Sequence, residues 1–304
     1  MDKLDMMKAF ITVSKEGSFT KAADKLDISN QLVSKYIAHL EDHLGVRLFN
    51  RTTRKIRLTA EGEQCVQHVQ QILENIQDME GNLGQFKNEV QGTLRISAPV
   101  SFATKHIAPL LRDFRRKNPA VKIDLQLNDR KTDVVEEGFD LALRISELKS
   151  SSLIAKRIAP IHIVTCASPE YLEKNGIPEH PDQLNPDHFL HYNYMDYNRT
   201  HLPIINALRH SIKAQRQSIS SNNGDVLVEA AVAGEGYVVQ PTFIVSEAVK
   251  QGKLKVILED FAPDVMSLYV VYPHRKLTSN KLTAFIDFIS HYYGEQPYWD
   301  DYQA

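Results

Sequence analysis

The sequence predicts a chain of mixed α/β class in three parts. A small helical domain ends in a hairpin, one long helix follows, and strands and helices alternate through the rest. Three observations carry this. Apolar residues recur at i, i+3, i+4 and i+7 within the first sixty residues. They recur every seven residues between Cys65 and Val90. From Thr93 short β-branched runs alternate with helical stripes. A chain of 304 residues holds two or three domains. Its 42% hydrophobic and 24% charged residues are those of an ordinary globular protein, and a net charge of −2 confines any nucleic-acid role to a local patch.

Leu4, Met7, Phe10 and Ile11 share one face of a first helix, which Gly17 ends as a left-handed terminator. Ser18 caps the next, where Phe19, Ala22, Ala23 and Leu26 form a stripe whose small alanines admit a crossing helix. Ser29 caps a third helix and Gly45 ends it, so the three predict a helix-turn-helix. With Ile28, Val33, Ile37, Leu40 and Leu44 turned inward, the third helix presents Asn30, Gln31, Ser34, Lys35 and Ala38. Amides pair bidentately with adenine edges, serine suits several bases, and lysine meets a guanine edge or a phosphate. From this helix alone a plain solvated face fits equally well. The next segment favours DNA: residues 46–58 carry Arg47, Arg51, Arg54, Lys55 and Arg57 and no acid, as a hairpin that grips phosphates or a narrow minor groove would.

The run SFTKAADKLDISNQLVSKYIAHLEDHLGVRLFNRTTRKIRLTAEG resembles the winged helix-turn-helix of LysR-type transcriptional regulators. The resemblance implies that the helix after Ser29 enters the major groove and that wing arginines touch the backbone or minor groove. Carried over by position, the DNA contacts are Ser29, Asn30, Gln31, Ser34, Lys35, Arg51 and Arg54. Lys35 stands where arginine is commoner in the family and lacks its bidentate fork.

After Thr59, a cap, no proline interrupts the chain until Pro99. Val69, Ile76, Leu83 and Val90 are spaced by seven, as are Cys65, Ile72, Met79 and Phe86. This a/d seam predicts a helix that pairs with another, through Val69, Ile72, Ile76, Met79, Leu83 and Phe86. Packing on its own domain is the alternative. Gly81 and Gly84 weaken the far end, so a stop near Phe86 is expected. The resemblance implies a linker helix that dimerises, and a homodimer or homotetramer.

Beyond Thr93, TLRISA, VKIDLQL, DLALRI, HIVTCAS, YVVQ, LKVIL and SLYVVYP read as strands, and the parallel arrangement of an α/β fold is expected. FATKHIAPLLRDFRRKNP reads as a helix kinked near Pro109, KTDVVEEG as a short helix, and PEYLEKNG, GDVLVEAAVAG, FIVSEAVKQG and SNKLTAFIDFISHYYG as further helices. HIVTCAS and SLYVVYP read as crossing strands of a two-lobed cleft. The same segments are similar to the LysR effector domain, whose fold is like that of periplasmic solute-binding proteins. The resemblance implies domains at 1–58 (winged helix-turn-helix), 59–91 (linker helix) and 92–304 (effector), with lobe I at 92–162 and 268–304 and lobe II at 163–267. Two departures bear on the pocket: Gln240 stands where the family has leucine before a proline, and a usual tryptophan near 199–206 is absent.

Ligands of open α/β folds bind where strands end and helices begin. SAPVSFAT is one such junction, with Val100, Ser101 and Phe102, where Ser101 and free N–H groups suit a carboxylate or Ser101 merely caps. SNNGD is the other, with Asn222 and Asn223. Arg144 at a strand end and Gln240, polar in an apolar run, complete the candidate pocket for a carboxylate or lactone-sized effector.

Enzyme signatures are weak. GEGYVV lacks the third glycine of a dinucleotide motif, and neither G-x-S-x-G nor a P-loop occurs. His188 and His191 sit in loop-and-strand context, so no metal, cofactor or catalytic residue is expected. Cys65 and Cys166 fit no disulfide or metal spacing. The amino terminus has no signal-peptide core and no stretch spans a membrane, so a cytoplasmic chain is expected. The expected function is sequence-specific regulation of transcription, modulated by a small-molecule effector between the lobes, with promoter DNA and RNA polymerase as partners. The rivals are a solute-binding protein or enzyme with an accessory domain, and an architectural DNA binder; the heptad helix speaks against the former.

Overall fold

A computed structural model describes residues 2–51, 56–83, 90–130, 133–146, 153–195, 218–274 and 279–302. Two compact units result, Met1–Glu89 and Val90–Ala304.

In the first unit α1 (Lys3–Glu16), α2 (Phe19–Leu26) and α3 (Asn30–Leu44) pack around Phe10, Ala22, Val33, Ile37 and Leu40. Their ends follow the predicted chemistry: Ser18 and Ser29 accept from Lys21 N–H and Leu32 N–H, and Gly17 and Gly45 adopt left-handed φ of 61° and 70°. Leu44 departs from expectation: it is exposed, because the last turn of α3 outruns the core. The hairpin β1 (Phe49–Arg51) and β2 (Ile56–Leu58) pairs Phe49 with Leu58 and Arg51 with Ile56. Helix α4 (Ala60–Leu83) follows, and its first turns bury Val69 and pack Cys65, Val66 and Leu73 on the same core.

The second unit holds two sheets. Strands β3 (Gly92–Ala98), β4 (Val121–Leu127), β5 (Leu141–Ser146), β6 (Leu153–Ile161) and β12 (Met266–Pro273) lie in the order β4-β3-β5-β12-β6. The other sheet is β10 (Tyr237–Pro241), β7 (Ile163–Ala167) and β11 (Lys255–Ile257), with β7 central. Within the two larger sheets the expectation of parallel strands holds where β3 pairs β4 and β5; β12 runs antiparallel to β5 and β6, and β7 antiparallel to both neighbours. Chain that crosses between sheets, rather than winding within one, reverses direction. The crossing falls at His162, the single residue between β6 and β7. A small parallel pair, β8 (His191–Tyr192) with β9 (Ser220–Ser221), completes the strands among the described residues.

Helices cover both sheets: α5 (Val100–Phe102), α6 (Ala108–Lys117), α7 (Pro169–Asn175), α8 (Gly224–Val232), α9 (Thr242–Lys250) and α10 (Asn280–Ser290). The kink expected near Pro109 is a π-helical turn, Ala103–Ile107, between α5 and α6. Pro109 has no N–H to give the carbonyl of Lys105, and the wider turn absorbs the break. KTDVVEEG is not a helix in its described part. Asp133 Oδ1 accepts from the N–H groups of Val135 and Glu136, at 2.9 and 3.0 Å, and closes a single turn that Gly138 leaves at φ 73°. Strand β6 was not assigned from the sequence.

After α10 a short 3-10 turn, Tyr298–Asp300, drives Trp299 into an aromatic cluster with Phe102, His106, Phe243 and Tyr293. Asp300 accepts from Thr242 Oγ1 at 2.5 Å and lies 2.9 Å from His162 Nδ1, and Thr242 N–H donates to His162 O at 2.9 Å. His106 Nδ1 lies 2.6 Å from Tyr298 OH and Nε2 3.0 Å from Phe243 O. The carbonyl of Phe243 requires Nε2 as donor, which leaves Nδ1 to accept from tyrosine, a neutral ring satisfied on both sides. Burial lowers the pKa of this imidazole. The turn thus ties the crossing residue to helices of both sheets.

Candidate nucleic-acid interface and ligand cleft

Helix α3 exposes Asn30, Gln31 and Lys35 and half-exposes Ser34. Ser29 is the cap, its Oγ 3.2 Å from Leu32 N. Asn30 is already engaged: its Nδ2 donates to Thr20 Oγ1 on α2 at 3.1 Å, which leaves Gln31, Ser34 and Lys35 as the groups on this face without a side-chain hydrogen bond among the described residues. Arg51 lies on β1, opposite Ile56, and Arg54 lies outside the described residues. Lys35 also borders a groove of about 420 Å³ with Lys3, Met6, His39 and His43. The sequence reading missed this basic groove because it joins two helices that are distant in the chain.

The hairpin is anchored by Glu41, whose side chain is buried. Its Oε1 accepts from Leu48 N–H at 2.8 Å and Phe49 N–H at 3.2 Å, and its Oε2 from Arg47 at 2.8 Å. Burial pushes the carboxyl pKa up, yet these hydrogen bonds together outweigh it and hold the group below its ordinary value.

On α4 the seam residues divide. Val69, 4% exposed, packs into the core, whereas Ile72 and Met79 are 40% and 44% exposed and Ile76 is half-buried. Leu83 ends the helix, and Phe86 lies outside the described residues. Cys65 is part of the core, and burial raises its pKa.

In the second unit, Val100 and Ser101 open α5 where β3 ends. Ser101 is buried inside the turn and does not cap it; Pro99 occupies the cap position. Of the N–H groups around this turn, expected to be free near Phe102 and Ala103, those of Val100 and Ala103 are taken. Val100 N–H donates to Asp129 Oδ1 at 2.9 Å, and Ala103 N–H to Pro99 O at 2.9 Å. Phe102 is fully buried in the aromatic cluster. Asp129 is joined by the hydroxyl of Tyr192, and burial, with Asp225 nearby, raises its pKa against the pull of Val100 N–H and Arg144. Arg144 donates to Leu143 O at 2.9 Å and Ser97 Oγ at 3.2 Å, and desolvation lowers its pKa while Glu137 and Asp129 oppose.

Facing this, Asn223 caps α8, its Oδ1 3.2 Å from Val226 N, and Asn222 is exposed. Asp225 pairs with Lys105 of the π turn at 3.1 Å. Gln240 is buried beside Gly224. Asp129, Tyr192, Lys105 and Asp225 were not singled out from the sequence. Cys166 lies buried on β7 with its pKa pushed up to about 12, a core thiol. Among the described residues no His, Cys, Asp or Glu cluster suits a metal ion, and no helix is long and apolar enough to cross a membrane.

Two family models match the chain: a bacterial regulatory helix-turn-helix protein of the lysR family over residues 4–63, and a LysR substrate binding domain over residues 87–293. An uncharacterized HTH-type transcriptional regulator of Haemophilus influenzae is 38% identical over 93% of this chain and 98% of its own. An HTH-type transcriptional repressor of Pseudomonas aeruginosa is 33% identical over 98% and 94%. Among solved structures, CrgA, a LysR-type transcriptional regulator from Neisseria meningitidis, is similar with a TM-score of 0.56 and 28% identity, over 94% of this chain and 97% of that one. The Vibrio cholerae virulence activator AphB is similar with a TM-score of 0.53 and 26% identity, over 95% and 98%.

Proposed function

The chain belongs to the LysR family of bacterial helix-turn-helix regulators, and on that premise we propose that it reads a promoter through Gln31, Ser34 and Lys35 under the control of a small molecule held between its two lobes. It is a transcriptional regulator with a helix-turn-helix domain and a LysR substrate-binding domain, and it is not an enzyme. The observation that carries the reading is the exposed polar face of α3, amide and lysine one turn apart, beside a hairpin held by Glu41. Amide and hydroxyl groups match base edges, and Lys35, bordering the basic groove, suits a phosphate. Arg51 and Arg54 serve the backbone in this reading.

The boundaries we adopt are 1–58 for DNA binding, 59–91 for the linker and 92–304 for effector binding. The exposed Ile72 and Met79 support pairing of α4 with a second copy, as a homodimer or homotetramer. The effector is a metabolite of carboxylate or lactone size, lined by Val100, Ser101, Arg144, Asn222 and Gln240; RNA polymerase is the further partner and the cytoplasm the compartment. A mobility shift on the gene's own promoter tests this. Tight binding that weakens steeply with salt and exceeds binding to scrambled DNA is expected. Equal affinity for both DNAs excludes sequence reading.

A further inference from the structure

On α3 the residues Gln31, Lys35, His39 and His43 are spaced by four, so they form one ridge along the helix. The last three of them border the groove of about 420 Å³ together with Lys3 and Met6 of α1. Lys3, Lys35, His39 and His43 are all exposed, and among the described residues none of their side chains makes a hydrogen bond or an ion pair. Among the described residues no acid borders the groove. Asp2 accepts from Leu4 N–H, Glu16 pairs with Lys25, and Glu41 is buried against the hairpin and pairs with Arg47. Asp5 and Asp42, the other acids of α1 and α3, lie off its lining, as do Lys21, Asp24 and Lys25 of α2. In a chain of net charge −2 this is a patch of one sign, and two of its four basic groups are imidazoles.

We propose that Lys3, His39 and His43 continue the DNA face beyond Lys35 as a seat for backbone phosphates, and that promoter affinity rises as the two imidazoles take up protons. This rests on the reading of α3 given above. In a helix-turn-helix the first turns of the recognition helix meet base edges. Each step of four along the ridge rises about 6 Å, and the major groove is about 8.5 Å deep. A ridge that sets Gln31 against bases therefore carries its third and fourth members to the phosphate wall. Lysine keeps its charge throughout the physiological range, whereas imidazole gains or loses its charge between about pH 5 and 8. A phosphate beside an imidazole favours the charged form, so protonation and phosphate contact strengthen each other. The cation is the acid form. Binding therefore tightens as pH falls through the imidazole range and weakens as pH rises through it. Sequence preference is untouched, because phosphates carry no base identity.

The test uses the full-length protein with fluorescent duplexes, one of its own promoter and one scrambled, over a salt series at about pH 6 and about pH 8. In wild type the slope of log K against log salt is expected to be steeper at the lower pH by about 1–2, or about 0.9 for each phosphate gained. The same steepening is expected on scrambled DNA. The double variant His39→Gln, His43→Gln is expected to keep the shallow slope at both pH values. The double variant His39→Arg, His43→Arg carries the charge permanently and is expected to keep the steep slope at both. All four positions changed are exposed side chains of a folded helix, and thermal melts of each variant check that it stays folded. A wild-type slope that ignores pH, a pH effect that survives in the glutamine variant, or a shallow slope in the folded arginine variant overturns the phosphate seat. The two claims fail separately. Equal affinity for promoter and scrambled DNA, with the change of slope intact, refutes the sequence reading alone. Preference for the promoter with a slope independent of pH refutes the phosphate seat alone.

Discussion

The carboxylate of Asp129 sits 2.9 Å from the backbone nitrogen of Val100, 29 residues earlier, and takes the first N–H of the helix start that the sequence offered to a ligand. An effector anion at that point would displace a charge-assisted hydrogen bond and meet a like charge. Asp129→Ala is expected to lower stability by about 1–3 kcal/mol, measured by chemical denaturation. It should also let acetate stabilise the protein further than it stabilises wild type; unchanged acetate response would show that the freed N–H plays no part.

Gln31 and Asn30 are neighbours with different prospects. Gln31→Ala should cost about 1–3 kcal/mol on the specific site and little on random DNA. Asn30→Ala loses the 3.1 Å bond to Thr20 and so loosens α3 against α2. It should weaken both DNAs and lower the melting temperature. Competition binding with specific and scrambled duplexes distinguishes the two patterns.

Glu41 makes the hairpin acid-sensitive. Its folded pKa lies below the ordinary carboxylate value, so the unfolded state binds the proton more readily. The stabilisation is therefore complete above the unfolded pKa of about 4.3 and is lost as pH falls through the folded value. Glu41→Gln is expected to remove about 1–3 kcal/mol at neutral pH and to flatten the acid limb of the melting profile. A retained acid limb would assign it to other carboxylates.

Along α4, exposure separates assembly from folding. Ile72→Asp places a charge on an exposed seam position, and light scattering should show a smaller oligomer with an unchanged melt. Val69→Asp buries the charge in the core of the first unit and should unfold it. Unchanged mass in Ile72→Asp would remove this helix from the interface.

The turn at Tyr298–Asp300 supports the crossing residue. Asp300→Asn should cost about 1–3 kcal/mol, and Trp299→Ala about 3–5 kcal/mol. Hydrogen exchange should quicken at Thr242 N–H, which bonds His162 O, while amides of β3 and β4 keep their protection. Uniform loss of protection would mean global rather than local loosening.

Local chemistry made the first unit legible. Stripes of apolar residues, two serine caps and two glycine terminators fall within a few positions of one another, and each acts on its own helix. Where a residue acts at a distance, the pattern was silent. Asp129 serves Val100, Glu41 serves the hairpin, and Lys105 serves Asp225, and nothing in the spacing of these pairs marks them. The α2 terminator escaped notice because Asp27, not glycine, adopts φ 54° there. Strand direction was misjudged because hydrophobic runs record burial, not which neighbour a strand pairs with. Gln240 was singled out as polar in an apolar run, but its contact with Gly224 appears only in three dimensions.

His106 and Tyr298 are 192 positions apart. At a synthesis rate of about 5–20 residues per second, the imidazole waits roughly 10–40 s on the ribosome for its phenol. Until residue 300 emerges, the space for Trp299 stands open and nothing ties His162 to Thr242 through Asp300. The nascent effector unit is therefore unlatched until that turn emerges, and the aromatic surface around Phe102 and Phe243 is the part of it that a chaperone would find uncovered.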